Sequence, residues 1–274
     1  MNLQEGQPSR AWAGRHEIAL YLLLAYVISW SIWPLVLLNP ASSPLVPFGP
    51  GLAAVVVASM AGGRRELFGL LGQLGRWRVD ARWYVCALGI SSAIPAAALG
   101  AAVVAGAQAP RWEISDLLQI AGAFLVTLVI VGLFEELGWR GFLLPCLQRN
   151  RTALVGALLV ALAWLPWHLP ELVSDPGQRP LPQFAIYIVA LSVLFTWLYN
   201  STQASLPIVM LAHAALNTFG KFFLSELDGT EKLVAWWTLA GSALLLAVAV
   251  VWYAGPRRLV REGARAEGQP VQAL

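Results

Sequence analysis

Two adjacent carboxylates, Glu135 and Glu136, and a guanidinium, Arg140, stand in a segment that is otherwise largely apolar from residue 120 to 144. None of the other thirteen acidic residues falls within a hydrophobic run, whereas two of the three histidines, His168 and His213, do. An ionisable side chain inside such a run is costly and reads first as functional, facing a partner or a polar cavity. Carboxylate with imidazole is the combination that takes a proton from water and passes it on, which is general acid–base chemistry. One glutamate and two histidines also make a plausible zinc set with an open fourth position, although they come from three separate segments and no HExxH helix is present. The paired glutamates by themselves would equally suit a proton or cation path through a carrier.

Helical spacing separates the roles. Glu136 and Arg140 are i,i+4 and share a face, so they can pair along one helix, whereas Glu135 points about 100° away and lacks that partner. Glu136 and Arg140 are therefore assigned to structural support and Glu135 to chemistry. His213 and Asn217 repeat the i,i+4 spacing and present an imidazole and an amide to one place; Trp164 and His168 do the same in another run. Each pair is expected to line one wall of a cavity.

The elements that must hold these groups are membrane helices. The 274 residues are 58 % hydrophobic and 12 % charged, and apolar runs of about twenty residues recur along the whole length, the pattern of an all-α polytopic membrane protein. Eight spans are expected, at residues 18–38, 47–62, 84–105, 117–147, 153–168, 184–199, 205–219 and 233–253, the fourth as one long helix. The first is too long for a signal-peptide core and is followed by no small-residue cleavage pattern, so it reads as an anchor. Residues 64–82 alternate Arg with Leu and Trp, predicting an interfacial amphipathic helix against anionic lipid. Arg111-Trp112 belong at the interface, and 170–182 form a Pro-rich loop outside the hydrocarbon.

Domain organisation follows: a disordered cytoplasmic tail at 1–15, one transmembrane domain at 16–255, and a solvated basic cytoplasmic tail at 256–274. With the amino terminus inside, fourteen of the eighteen Lys/Arg fall on inner segments, which places both termini in the cytoplasm. The formal charge of +3 comes from Arg clusters between spans, a topology signal and not a nucleic-acid stripe, so nucleic acid is excluded as a partner. The bilayer itself is the first partner. Sixteen Arg against two Lys is the bias of a GC-rich bacterial genome, so the expected site is a bacterial plasma membrane. Cys86 and Cys146 have no CxxC spacing and read as small core residues. Nothing in the sequence fixes an oligomeric state.

Depth permits a single site. Glu135 precedes the turn at Asn150 by about as many residues as His168 follows it, so in a hairpin both lie roughly 22 to 27 Å from that turn. His213 lies roughly 18 Å along its helix from the loop at Asn200-Ser201.

Three motifs then resemble those of the CPBP intramembrane proteases, which include the type II CAAX prenyl-protein endopeptidases and bacterial immunity proteins. Glu135-Glu136-xxx-Arg140 is similar to the family's EExxxR motif, Trp164-xxx-His168 to FxxxH with Trp in place of Phe, and His213-xxx-Asn217 to HxxxN. Order and spacing agree together. The resemblance implies hydrolysis of a peptide bond in a membrane-associated, CAAX-type protein or peptide, with Glu135 as general base on a water and His168 orienting it. His213 and Asn217 would stabilise the oxyanion, with Glu136, Arg140 and Trp164 in support. A metalloprotease with zinc on Glu135, His168 and His213 and a metal-free glutamate mechanism both fit these residues. Two other classes share the pattern: a proton- or ion-coupled carrier, and a non-catalytic immunity or chaperone protein that keeps the fold. A carrier of inverted repeats calls for paired Gly/Pro-broken helices in two matching halves, and no internal repeat is evident.

Overall fold

The computed structural model describes residues 16–39, 43–110, 113–175 and 177–261, and every regular element among them is helical. The expected tail at 1–15, the pair Arg111-Trp112 and residues 262–274 of the basic tail lie outside the described residues. The helices are α1 (Glu17–Trp30), α2 (Gly49–Gly62), α3 (Arg64–Gly72), α4 (Ala81–Val104), α5 (Ile114–Gln148), α6 (Ala153–Trp167), α7 (Leu169–Ser174), α8 (Leu181–Ser201), α9 (Leu206–Leu224) and α10 (Gly229–Ala254). Six of them, with α1 extended by a tight turn to Val36, are long and apolar enough to cross a membrane. At the other two of the eight expected spans stand shorter apolar helices, α2 with 14 residues and α6 with 15. Each rises only about 21 to 23 Å, short of a hydrocarbon core of roughly 30 Å.

Successive spans run antiparallel, and side chains tie neighbouring connections at each end. At one end Arg149 pairs with Glu17, Arg76 Nη1 donates to the Gln203 carbonyl at 2.7 Å, and Asn200 donates to the Arg258 carbonyl at 2.9 Å. At the other, the Trp30 indole donates to the Trp167 carbonyl at 3.0 Å and Trp236 to that of Gln178 at 3.1 Å. The first end carries Arg64, Arg65, Arg76, Arg78, Arg82, Arg149, Arg151, Arg257, Arg258 and Arg261; the second carries Arg179, Lys221 and Lys232. Helix α8 is the most enclosed span, 72 % of its apolar window being buried, against 6 % for that of α5.

Helix α5 is continuous but not regular as expected. Residues Leu128–Gly132 and Trp139–Leu143 are π turns, so the α-helical stretch Leu133–Gly138 that bears both glutamates is set off between two wider turns. The second has a local cause: Pro145 has no N–H to offer the Gly141 carbonyl four residues back, which breaks the ladder. Gln73 Nε2 donates to that carbonyl instead at 3.1 Å, and the Tyr199 hydroxyl holds Gln73 Oε1 at 2.8 Å.

Three further expectations change. The interfacial helix ends at Gly72 and not at 82, because Gly72 and Gly75 are poor helix formers and Arg76 is drawn to the α8–α9 turn, where Ser205 donates to its carbonyl. The loop at 170–182 contains a turn of helix, α7. The domain also runs past 255: the Arg257 and Pro256 carbonyls accept from the first N–H groups of α6, Ala153 at 2.8 Å and Leu154 at 3.1 Å, and Leu259 is fully buried. These carbonyls satisfy donors that a helix start leaves open, so the segment is docked through its backbone and Leu259 while Arg257, Arg258 and Arg261 stay exposed.

Helices α2 and α5 meet backbone to backbone. A methyl group on Gly138 would lie 2.4 Å from the Pro50 side chain, and one on Gly51 would lie 2.8 Å from the Phe134 carbonyl oxygen. Small residues permit this approach where no hydrophobic force drives helices together. Gly138→Ala is therefore expected to destabilise the bundle by about 1 to 3 kcal/mol. Gly122→Ala on the same helix, with no atom within 4 Å, should be neutral or stabilise by up to about 1 kcal/mol. Thermal unfolding in detergent compares the two; equal midpoints would show that α2 does not clamp α5.

Candidate active site

The mid-bundle stretch of α5 turns Glu136 inward, and its Oε1 accepts two hydrogen bonds. Arg140 Nη1 donates to it at 3.0 Å from the same helix, and His213 Nδ1 lies 2.6 Å away on α9. Glu136 and Arg140 are 0 % exposed and His213 3 %. The Arg140 guanidinium lies 4.5 Å from the ring centroid of Trp164 and 4.9 Å from that of Phe195, so two aromatic faces cover the cation. Such contacts are worth about 2 kcal/mol when desolvated.

Glu135, on the neighbouring face of α5, accepts the Trp164 indole N–H on Oε2 at 3.0 Å. It keeps 4 % exposure, against none for Glu136. His168 sits where α6 gives way to α7, between Pro166 and Pro170. The helix tightens there: the His168 backbone N–H donates to Leu165, and the Trp164 carbonyl accepts from the imidazole Nδ1 at 2.9 Å. The network sets both tautomers. A carbonyl only accepts, so His168 Nδ1 carries the proton and the neutral ring presents a bare Nε2. His213 Nδ1 donates to a carboxylate, so its Nε2 can donate only from an imidazolium.

Trp164 packs on both histidines. Its ring centroid is 5.8 Å from that of His168 and 5.6 Å from that of His213. Phe184 packs on His168 at 5.2 Å, while Phe195 packs on His213 at 5.6 Å and on Trp164 at 6.3 Å.

The structure thus gathers Glu135, Glu136, Arg140, Trp164, His168 and His213 around one indole. Asn217 is exposed on α9, one turn beyond His213, beside the part of α5, Ile114–Thr127, that buries none of its own residues. The structure does not bring three metal ligands together. Among the described residues no three His, Cys, Asp or Glu side chains stand close enough to hold a metal ion. Each Nδ1 is engaged, on the Trp164 carbonyl and on Glu136, so the Nε2 atoms are the nitrogens a ligand would meet.

Sequence reasoning missed Tyr21. It is fully buried on α1, packs on Trp139 at 5.9 Å and Phe142 at 5.0 Å, and lies within electrostatic reach of Arg140, Glu136 and Glu135. A phenol in the middle of an apolar span was the available signal. Phe184 and Phe195 carried none, since aromatic residues in a span are ordinary packing.

Fold and site together define a polytopic helical membrane protein with an acid–base cluster buried in its bundle. A family model for type II CAAX prenyl endopeptidase Rce1-like proteins matches residues 117–219, the stretch that contains all three motifs. A protein from Methanococcus maripaludis described as CAAX prenyl protease 2 is 24 % identical over 138 residues, covering 47 % of this chain and 49 % of the relative, so the match spans about half the length of each. Over this segment the chain is similar to the type II CAAX prenyl endopeptidases.

The shared oxygen of Glu136 makes a stability prediction. Removing one member of a buried ion pair strands the other, at a cost of about 3 to 5 kcal/mol, so Glu136→Gln or Arg140→Gln should lower the unfolding temperature in detergent markedly. The double variant strands neither charge of the pair and should recover part of the loss. Glu135→Gln keeps an acceptor for the indole and should unfold near the wild-type temperature. Equal losses for both glutamates, without coupling in the double variant, would show that Glu136 is not the structural one.

Proposed function

We propose that the protein is an intramembrane endopeptidase that hydrolyses a peptide bond of a membrane-associated protein or peptide. A prenylated CAAX-type protein is the substrate class indicated by the names of its relatives. The observation that carries this reading is that Trp164 holds both a buried but not sealed Glu135 and a His168 whose bare Nε2 can hold a water. In the proposed step Glu135 takes a proton from that water while its oxygen attacks the peptide carbonyl, and the carbonyl electron pair moves onto oxygen. His213, as an imidazolium beside Glu136, donates from Nε2 to that oxyanion, and Asn217 adds its amide from the open side of α9. Collapse expels the amine, which takes the proton back from Glu135. Preorganised donors of this kind are worth about 3 to 4 kcal/mol each in a water-excluded site. No step is routed through a metal.

The protein in vesicles should cleave a membrane-anchored reporter peptide, read by mass spectrometry. Loss of a general base costs about 10²- to 10⁴-fold, so Glu135→Gln should fall by that factor, with His168→Ala and His213→Ala in the same range. Activity should persist in chelator-treated, metal-free protein; loss restored by zinc would overturn the metal-free mechanism. Substrate-dependent proton flux without cleavage would favour a carrier, and neither activity would favour a non-catalytic immunity or chaperone role. The arginine-rich end is proposed to face the cytoplasm. A reporter after Arg261 should be cytoplasmic and one inserted at Gly177 external, and the reverse labelling would invert the assignment.

A further inference from the structure

The three-motif pattern treats position 164 as an aromatic packing residue, and phenylalanine satisfies it. This chain has tryptophan there, 2 % exposed, and every polar atom of that residue's side chain and carbonyl reaches a group assigned to the reaction. Its N–H goes to Glu135 Oε2 at 3.0 Å and its carbonyl takes His168 Nδ1 at 2.9 Å. Its ring face covers the Arg140 guanidinium at 4.5 Å, and its ring meets His213 at a steep angle of 69°.

We propose that Trp164 is a positioning residue: its indole N–H holds Glu135 Oε2, leaving Oε1 as the atom that takes the proton from water. The inference rests on the hydrolytic reading given above. An indole nitrogen is a donor and never an acceptor, so the contact specifies which atom of the carboxyl group is engaged. A carboxylate on a helix can rotate about its last bond; with one oxygen tethered, the other is aimed in a single direction. The cation lying against the ring face draws electron density from the indole, which strengthens its N–H as a donor. Because the same residue's backbone carbonyl orients His168, base and water-holding imidazole are referred to one residue and not to two independent helices. Geometry of this kind acts on the chemical step, where small misplacements are costly.

Trp164→Phe keeps a ring over Arg140 and keeps the backbone carbonyl for His168, but removes the N–H. The expected result is a fall in kcat of about 10- to 100-fold with KM changed by less than about twofold. Infrared spectroscopy supplies a second readout. The Glu135 carboxyl band, identified as the one that vanishes in Glu135→Gln, should shift in Trp164→Phe. Should that variant not fold, benzothienylalanine incorporated at position 164 replaces the N–H by sulfur at nearly constant shape and should give the same split and the same shift. An unmoved band, or a loss of activity carried by KM and thermal stability alone, overturns the proposal and leaves Trp164 as packing. A shifted band in a protein that cleaves no peptide in its wild-type form keeps the hydrogen bond and overturns the hydrolytic reading, which separates the two failures.

Discussion

One oxygen atom, Oε1 of Glu136, holds the middle of this bundle together. It accepts from Arg140 on its own helix and from His213 on α9, in surroundings from which water is excluded. A carboxylate so placed is tolerable only if its partners are fixed, and a guanidinium so placed only if its face is covered. The rest of the site follows. Trp164 and Phe195 bring α6 and α8 against the cation, His213 ties α9 to the carboxylate, and Tyr21 packs α1 on Trp139 of α5. The polar cluster specifies which helical faces turn inward in a medium where apolar faces do not discriminate.

The parts of this arrangement that were legible in the sequence are those that depend on one helix at a time. Glu136 with Arg140 could be read from i,i+4 spacing because both lie on a continuous helix, and the eight apolar runs could be read because length and hydropathy are local. The second partner of Glu136 could not be read, since the rotation of α9 against α5 is set by contacts between helices and not by periodicity. The π turns of α5 were hidden for a related reason. Pro145 signals a broken ladder, but the amide that answers the freed Gly141 carbonyl comes from Gln73, far away in the chain. Asn217 could be placed beside His213 by spacing, but its exposure could not be read, since it depends on the neighbouring half of α5, which leaves that part of α9 uncovered.

The metal question illustrates how position within a bundle outweighs residue type. Glutamate and two histidines at similar depth make a credible ligand set on paper. Depth is one coordinate of three, and among the described residues no three such side chains stand close enough to hold an ion. The two histidines also differ in the partners of their Nδ1 atoms, which leave one presenting a lone pair and the other able to act as a donor.

The docking of residues 256–261 has a consequence for how the molecule is made. The helix that carries Trp164 and His168 has its first N–H groups closed by the carbonyls of Pro256 and Arg257, and Leu259 is sealed beneath. During synthesis α6 enters the membrane about a hundred residues before those carbonyls exist. Its start remains open until α10 has been inserted and the chain beyond it folds back. The site is therefore completed late in biogenesis, and a ribosome-bound chain halted before α10 would hold every polar residue of the cluster without the final clamp on α6.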